Sequence, residues 1–217
     1  MSFSHLFEFL RELQKNNNKE WMDVHRKEYY QVRDFYIEWL DGMNNKLATF
    51  DKTYFYTPGK KAINRINNNL LYHPNKPTYK DHFGAGLDQR SKQGDFYIEL
   101  GVNGCYFGGG YWHPSSKNLK SLRDAIDYDG ITLLKIIQKK SFKKMFGELI
   151  ANQPLKTAPK GFSLEHKHID LLRRKSFAAS CSLSEKELVQ EGFDDKVIAI
   201  YKELLPFRRY LNNAITV

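Results

Sequence analysis

The chain has 217 residues, 41% of them hydrophobic and 14% aromatic, which is enough apolar surface for a packed core and too much for a disordered chain. No apolar run approaches the ~20 residues that cross a bilayer, and two cysteines, Cys105 and Cys181, supply no disulfide framework. The net charge of +9 is uneven: residues 51–183 hold 22 Lys and Arg against 11 Asp and Glu, and both flanking segments are close to neutral. The reading is one domain over residues 1–217, cytosolic, with no membrane span and a basic middle.

The first fifty residues read as helices. Phe3, Leu6, Phe7 and Leu10 recur at helical spacing, Asn16-Asn17-Asn18 supplies a stop and an N-cap, and Val32, Phe35, Tyr36, Trp39 and Leu40 form a later stripe. From residue 53 to 112 the pattern changes to short aromatic and β-branched runs separated by Pro, Gly and Asn. These runs, TYFYT, AINRI, TYKDHFGAGLD, DFYIELGV and CYFGGGYW, are expected as strands joined by short turns. Helices are expected again at 116–129, 131–149 and 184–212, with one strand, SFAASCSL, between them. Pro206 is expected to kink or interrupt the last helix, with Arg208 and Arg209 facing solvent. Helices at both ends of an antiparallel meander give an α+β fold.

The stretch GVNGCYFGGGYWHP, residues 101–114, raises the first functional question. Asn103-Gly104 between alternating runs predicts a type I′ hairpin turn. Val102 and Cys105 would then flank it, and the two faces separate. One carries Phe96, Ile98, Leu100, Val102, Cys105 and Phe107 and reads as core; the other carries Tyr97, Glu99, Gly101, Tyr106, Gly108, Gly110 and Trp112 and reads as an aromatic groove with a bare floor. Tyr111, Trp112, His113 and Pro114 separate the glycines from the next helix, so neither a P-loop nor a dinucleotide fingerprint is present. Glycine within a strand marks close approach of another backbone or of a ligand, and both readings stand here.

Arg65 and Lys80 are the leading anion contacts of the basic segment, because guanidinium and ammonium groups suit phosphate and carboxylate. Glu99 is the candidate catalytic carboxylate. Ser115 or Ser116 can cap the helix at 116, with Lys117 and Lys120 beside its first turn. The histidines at 73, 82, 113, 166 and 168 show no metal-ligand spacing, so no metal and no cofactor are expected. A small anionic ligand is the favoured partner. A nucleic acid comes second, on the basic middle and its interleaved aromatics, and a protein-interaction module third.

Four stretches together, NNNKEWMDVHRKEYY, RINNN with NKPTYKDHFG, YFGGGYWHPSSKNLKSLRDAI, and LKTAPKGF with LLRRKSF, resemble the bacterial domain-of-unknown-function family 2461. The resemblance runs from near residue 6 to about 180. It implies an α+β fold and no established reaction, and it places Trp21, Arg65, Lys80, Gly108, Gly110, Arg123, Pro159 and Gly161 at signature positions. Arg123 joins the candidate ligand-binding residues on that ground. Asn68, Asn69, Leu71 and Asn75 stand where the family pattern carries charges, so any family activity that uses those charges would be missing here.

Overall fold

A computed structural model describes residues 1–90, 93–151 and 153–215. The helices are α1 (Phe3–Lys15), α2 (Lys19–Val24), α3 (Arg26–Ala48), α4 (Gly59–Ala62), α5 (Ser116–Gln138), α6 (Lys140–Phe146), α7 (Ile169–Leu172), α8 (Glu185–Leu188) and α9 (Phe193–Ala214). The strands β1 (His82–Leu87), β2 (Phe96–Gly101), β3 (Gly104–Tyr111) and β4 (Phe177–Leu183) form one antiparallel sheet in the order β1-β2-β3-β4. The fold is α+β, with helices at both ends of the meander. Residues cluster into two compact units: 1–89, 97–107 and 182–198 in the first, 90–96, 108–181 and 199–217 in the second.

In the first unit, the Ser2 side chain caps α1 and the Asn18 side chain caps α2 by accepting the Trp21 N–H at 2.8 Å. The asparagine run is therefore punctuation, as its sequence predicts. The buried stripes of α1 (Leu6, Leu10, Leu13) and α3 (Val32, Tyr36, Leu40) belong to the core that covers one face of β1 and β2. Tyr29 stacks over Phe83, and the buried Tyr36 hydroxyl donates to the Ile98 carbonyl at 3.4 Å. Phe3, Phe35, Trp39 and Phe193 interlock edge-to-face and stacked, with centroids 5.2–5.5 Å apart. Such pairs add about 0.5–1.5 kcal/mol each beyond the area they bury.

Three strand expectations are corrected here. Residues 53–57 form no strand, and residues 62–66 supply only the end of α4 and an isolated bridge, Ile63 to Ala85. The aromatic rings that suggested strands, Phe55 and Tyr56, are instead about half exposed on a loop. The hairpin turn is centred on Val102-Asn103, one residue earlier than predicted, with Gly101 and Gly104 ending the strands. Among described non-glycine residues only Asp88 and His113 have positive φ. Since a type I′ turn needs positive φ at both central positions, this turn is of another kind, and Gly104, at φ 142, takes the positive angle after it. The two faces keep the predicted parity, since Phe96, Ile98, Leu100, Cys105 and Phe107 are all buried, but Val102, expected with them, is half-buried in the turn itself.

In the second unit, α5 breaks at Asp129 (φ −141, ψ 50), close to the division expected from sequence. The Tyr210 hydroxyl lies 3.1 Å from both the Ala125 and the Asp129 carbonyl and shares its one proton between them at the break. The predicted last helix is two: α8, in the first unit, with its Ser184–Glu187 capping box, then α9 after Gly192, whose φ is 82. Pro206 lies inside α9. Arg208 is not at the surface but 2% exposed, donating to the Gly94 carbonyl at 3.1 Å. The sequence pattern misleads because a guanidinium can enter a core where backbone carbonyls receive it.

The glycines of β3 mark backbone approach. A Cβ on Gly108 would lie 2.2 Å from the Ala179 carbonyl oxygen, on Gly109 2.3 Å from that of Asp95, and on Gly110 2.3 Å from that of Phe177. We expect Gly108→Ala to lose at least ~2 kcal/mol in chemical denaturation through overpacking. Gly42→Ala, in the open middle of α3 with nothing within 4 Å of its Cβ position, should gain up to ~1 kcal/mol through helix propensity. Equal stabilities for the two variants would refute this account.

Candidate functional site

The groove predicted over the β3 glycines is closed. Gly108 lies against the Ala179–Ser180 backbone of β4, and Gly110 against the Phe177 carbonyl and the Phe207 ring of α9. Both are filled by the protein itself, so neither floors a ligand site. Trp112 is 54% exposed and meets the His113 ring edge-on at 4.5 Å, past the end of β3.

Tyr97 and Glu99, in the first unit, do share a face. The Tyr97 hydroxyl donates to Glu99 Oε2 at 2.8 Å, and the ring lies over Gly84 of β1, where a Cβ would fall 2.5 Å from the hydroxyl. The bare backbone beneath Tyr97 thus belongs to β1. His82 Nε2 is 3.7 Å from the same carboxylate oxygen, and His82 Nδ1 is 3.2 Å from Asp81 Oδ1. Gln14 and Asn103 donate to Asp81 Oδ2 at 2.9 and 2.7 Å, tying the patch to α1 and the hairpin turn. Arg65 and Lys80 do not converge on Glu99 as a cationic pair. The Lys80 ammonium donates to the Arg65 carbonyl and, at 2.8 Å, to the Asn67 carbonyl, so it braces the 65–67 segment. Desolvation and its cationic neighbours Arg65 and Lys76 push its pKa down. Arg65 is exposed.

Arg123 fares differently. It lies on α5, in the second unit, and lines a cleft of about 830 Å³ together with Ser116, Lys120, Asp124, Asp127, Lys160 and Phe162. One wall is the first three turns of α5, whose Ser115 cap accepts the Asn118 N–H at 3.2 Å. The opposite wall is a turn closed by the Phe162 N–H to the Pro159 carbonyl at 3.1 Å, with Gly161 third in the turn at φ 92. That is the position at which a type II turn demands glycine. Nothing lies within 4 Å of a Cβ built on Gly161, so backbone angle and not space selects this residue.

The charges of the cleft are unequally matched. Lys120 and Asp124 pair at 2.7 Å. Arg123 donates from Nε to the Leu172 carbonyl at 2.8 Å and from Nη2 to the Arg174 carbonyl at 3.3 Å, which fixes the guanidinium plane at the C-terminal end of α7. Its Nη1 has no acceptor among the described residues. Burial lowers the Arg123 pKa, yet arginine stays charged at neutral pH. Lys160 is exposed and has no ion-pair partner among the described residues. A rigid guanidinium, a free ammonium and the first turn of a helix thus surround one cleft, an arrangement suited to an anion.

A family model described as a conserved hypothetical protein, DUF2461, matches residues 5–210. The chain belongs to the DUF2461 family. No curated protein and no solved structure matches it. Of the residues singled out from sequence, Arg123 and Gly161 meet at the cleft, whereas Arg65, Lys80, Tyr97 and Glu99 lie in the other unit. Lys160, Phe162 and Asp127 escape a sequence reading because only the fold brings 120–127 beside 160–162; the signal available was the turn chemistry of Pro159-Lys160-Gly161-Phe162.

Among the described residues no group of three or more His, Cys, Asp or Glu side chains could hold a metal ion, and no helix is long and apolar enough to cross a membrane. Neither Cys105 nor Cys181 forms a disulfide among the described residues. Cys105 is 1% exposed, and desolvation pushes its thiol up to about 11, whereas a nucleophilic cysteine needs its thiolate near neutral pH. We expect Cys105 in the native protein to resist alkylation at pH 8 and to react only after unfolding, as read by peptide mass spectrometry. Rapid native labelling at Cys105 would contradict its assigned burial. We also expect Gly161→Ala to cost ~1–2 kcal/mol through left-handed backbone strain, visible in chemical denaturation.

Proposed function

We propose that the protein binds a small anionic ligand, phosphorylated or carboxylate, in the cleft between α5 and the Pro159–Phe162 turn. The observation that carries this reading is Arg123, a residue of the cleft lining whose guanidinium is clamped by two backbone carbonyls and keeps one nitrogen without an acceptor among the described residues. A cation held in place by its own scaffold loses little entropy when a ligand arrives. Lys160 supplies a second charge, and Phe162 an apolar wall on which the ligand's carbon frame can rest. The basic middle of the chain attracts anions towards this region over a Debye length of ~8 Å at physiological salt. Two cysteines outside any disulfide suit a reducing cytoplasm.

The direct test is a thermal-shift screen with phosphorylated and carboxylate metabolites, followed by calorimetry of the hits. A genuine ligand should raise Tm in a concentration-dependent way. Lys160→Ala should weaken binding roughly tenfold, the scale of one charge-assisted hydrogen bond of ~1.5 kcal/mol. Arg65→Ala, in the other unit, should leave the affinity within twofold of wild type. If Arg65→Ala weakens the hits and Lys160→Ala does not, the site lies elsewhere.

A further inference from the structure

We infer that the ligand of this cleft carries a cationic amine as well as its anionic group, so that the site is selective for phospho-amines and amino acids over simple phosphates and carboxylates. This rests on the anion-binding reading above and adds to it the work of one residue, Asp127. On α5 the lining residues Lys120, Arg123, Asp124 and Asp127 follow the three- and four-residue spacing of a single helix face. The Lys120–Asp124 pair neutralises itself. What remains is Arg123 with Asp127 one turn further along the same helix face, ~5–6 Å from it between Cβ atoms, and Lys160 on the facing turn.

Asp127 has a partner, but that partner does not neutralise it. His166 Nε2 is 2.9 Å from Asp127 Oδ1, and His166 Nδ1 is 3.0 Å from the backbone nitrogen of His168. A backbone N–H can only donate, so Nδ1 accepts, and the ring proton sits on Nε2, donated to the carboxylate. In this tautomer the imidazole is uncharged. A second proton would have to occupy Nδ1 and break the bond from His168. His166 is itself positioned, 17% exposed in its side chain, with the Phe162 ring edge-on at 6.1 Å. The histidine therefore orients Asp127 while leaving its negative charge intact, and the second carboxylate oxygen, Oδ2, has no partner among the described residues.

A cleft whose only job was to hold an anion would gain from a neutral or cationic side chain here. An oriented, unneutralised carboxylate beside Arg123 and Lys160 repels a second anionic group and rewards a cation placed one helical turn from the first. Amine-bearing phosphates, and amino acids whose amine and carboxylate are separated by a short carbon chain, present both charges at about that separation. Phe162 can cover the carbon atoms between them.

Calorimetry with two probes of nearly equal shape, phosphoethanolamine and ethyl phosphate, tests the inference on the full chain. Wild type should bind phosphoethanolamine at least tenfold more tightly than ethyl phosphate. Asp127→Asn, which keeps an oxygen to accept from His166 Nε2 and removes only the charge, should bring the two probes within threefold of each other. Lys160→Ala should weaken both together, and circular dichroism with thermal unfolding confirms that each variant is folded. Equal affinity of wild type for the two probes overturns the inference and leaves the anion-binding reading standing. No binding of either probe, with variants and wild type all folded, also overturns the inference, and the metabolite screen alone then decides the anion-binding reading.

Discussion

Where Gly108, Gly109 and Gly110 lie, neighbouring backbone comes to within 2.2–2.3 Å of where a Cβ would stand, a distance no side chain tolerates. The absence of three side chains lets β4 seat against the end of β3, and lets Leu204, Phe207 and Arg208 of α9 close over the glycines. From that contact the rest of the second unit is tied together. The Ile150 N–H donates to the Ala178 carbonyl, Leu155 and Arg173 exchange main-chain and guanidinium bonds, and Arg174 donates to the Leu149, Ile150 and Ser176 carbonyls. The Leu172 and Arg174 carbonyls in turn hold Arg123. The geometry of the cleft is thus set by backbone acceptors fixed to the sheet edge.

Arginines recur in this unit as structural donors. Arg123, Arg173, Arg174 and Arg208 all spend N–H groups on main-chain carbonyls, and burial lowers the Arg174 pKa as it does that of Arg123. A guanidinium offers five donors in a planar fork, so two or three can serve the scaffold while one remains for a ligand. These arginines are therefore part of the architecture as well as of the basic excess. Exposed pairs such as Lys120–Asp124 add little stability, on the order of 0–1 kcal/mol, and matter here by cancelling charge on the cleft lining.

Several features were legible from local chemistry alone. The helical stripes of α1 and α3, the Asn18 cap, the break in α5 and the buried parity of β2 and β3 each depend on residues within a few positions of one another. The errors have a common character. The loop at 53–57 is rich in aromatic residues yet takes no strand partner, Val102-Asn103 replaces Asn103-Gly104 at the turn, and Arg208 is buried. Each of these outcomes was decided by partners distant in sequence: the Gly94 carbonyl for Arg208, and β1, with Asp81 receiving the Val102 N–H, for the hairpin.

For the glycine run, residue types alone established that something must approach β3 closely, because an unbranched stretch of backbone in a strand has no packing value of its own. They left open whether that something was a ligand or the protein. The tertiary structure decided for β4 and α9. The cleft shows the same division: Pro159-Lys160-Gly161-Phe162 announces a turn and Arg123 a cation, each by local chemistry. Their meeting, and the pairing of Asp127 with His166 across 39 positions of chain, required the fold, because spacing along the chain carries no information about which distant segments share a surface.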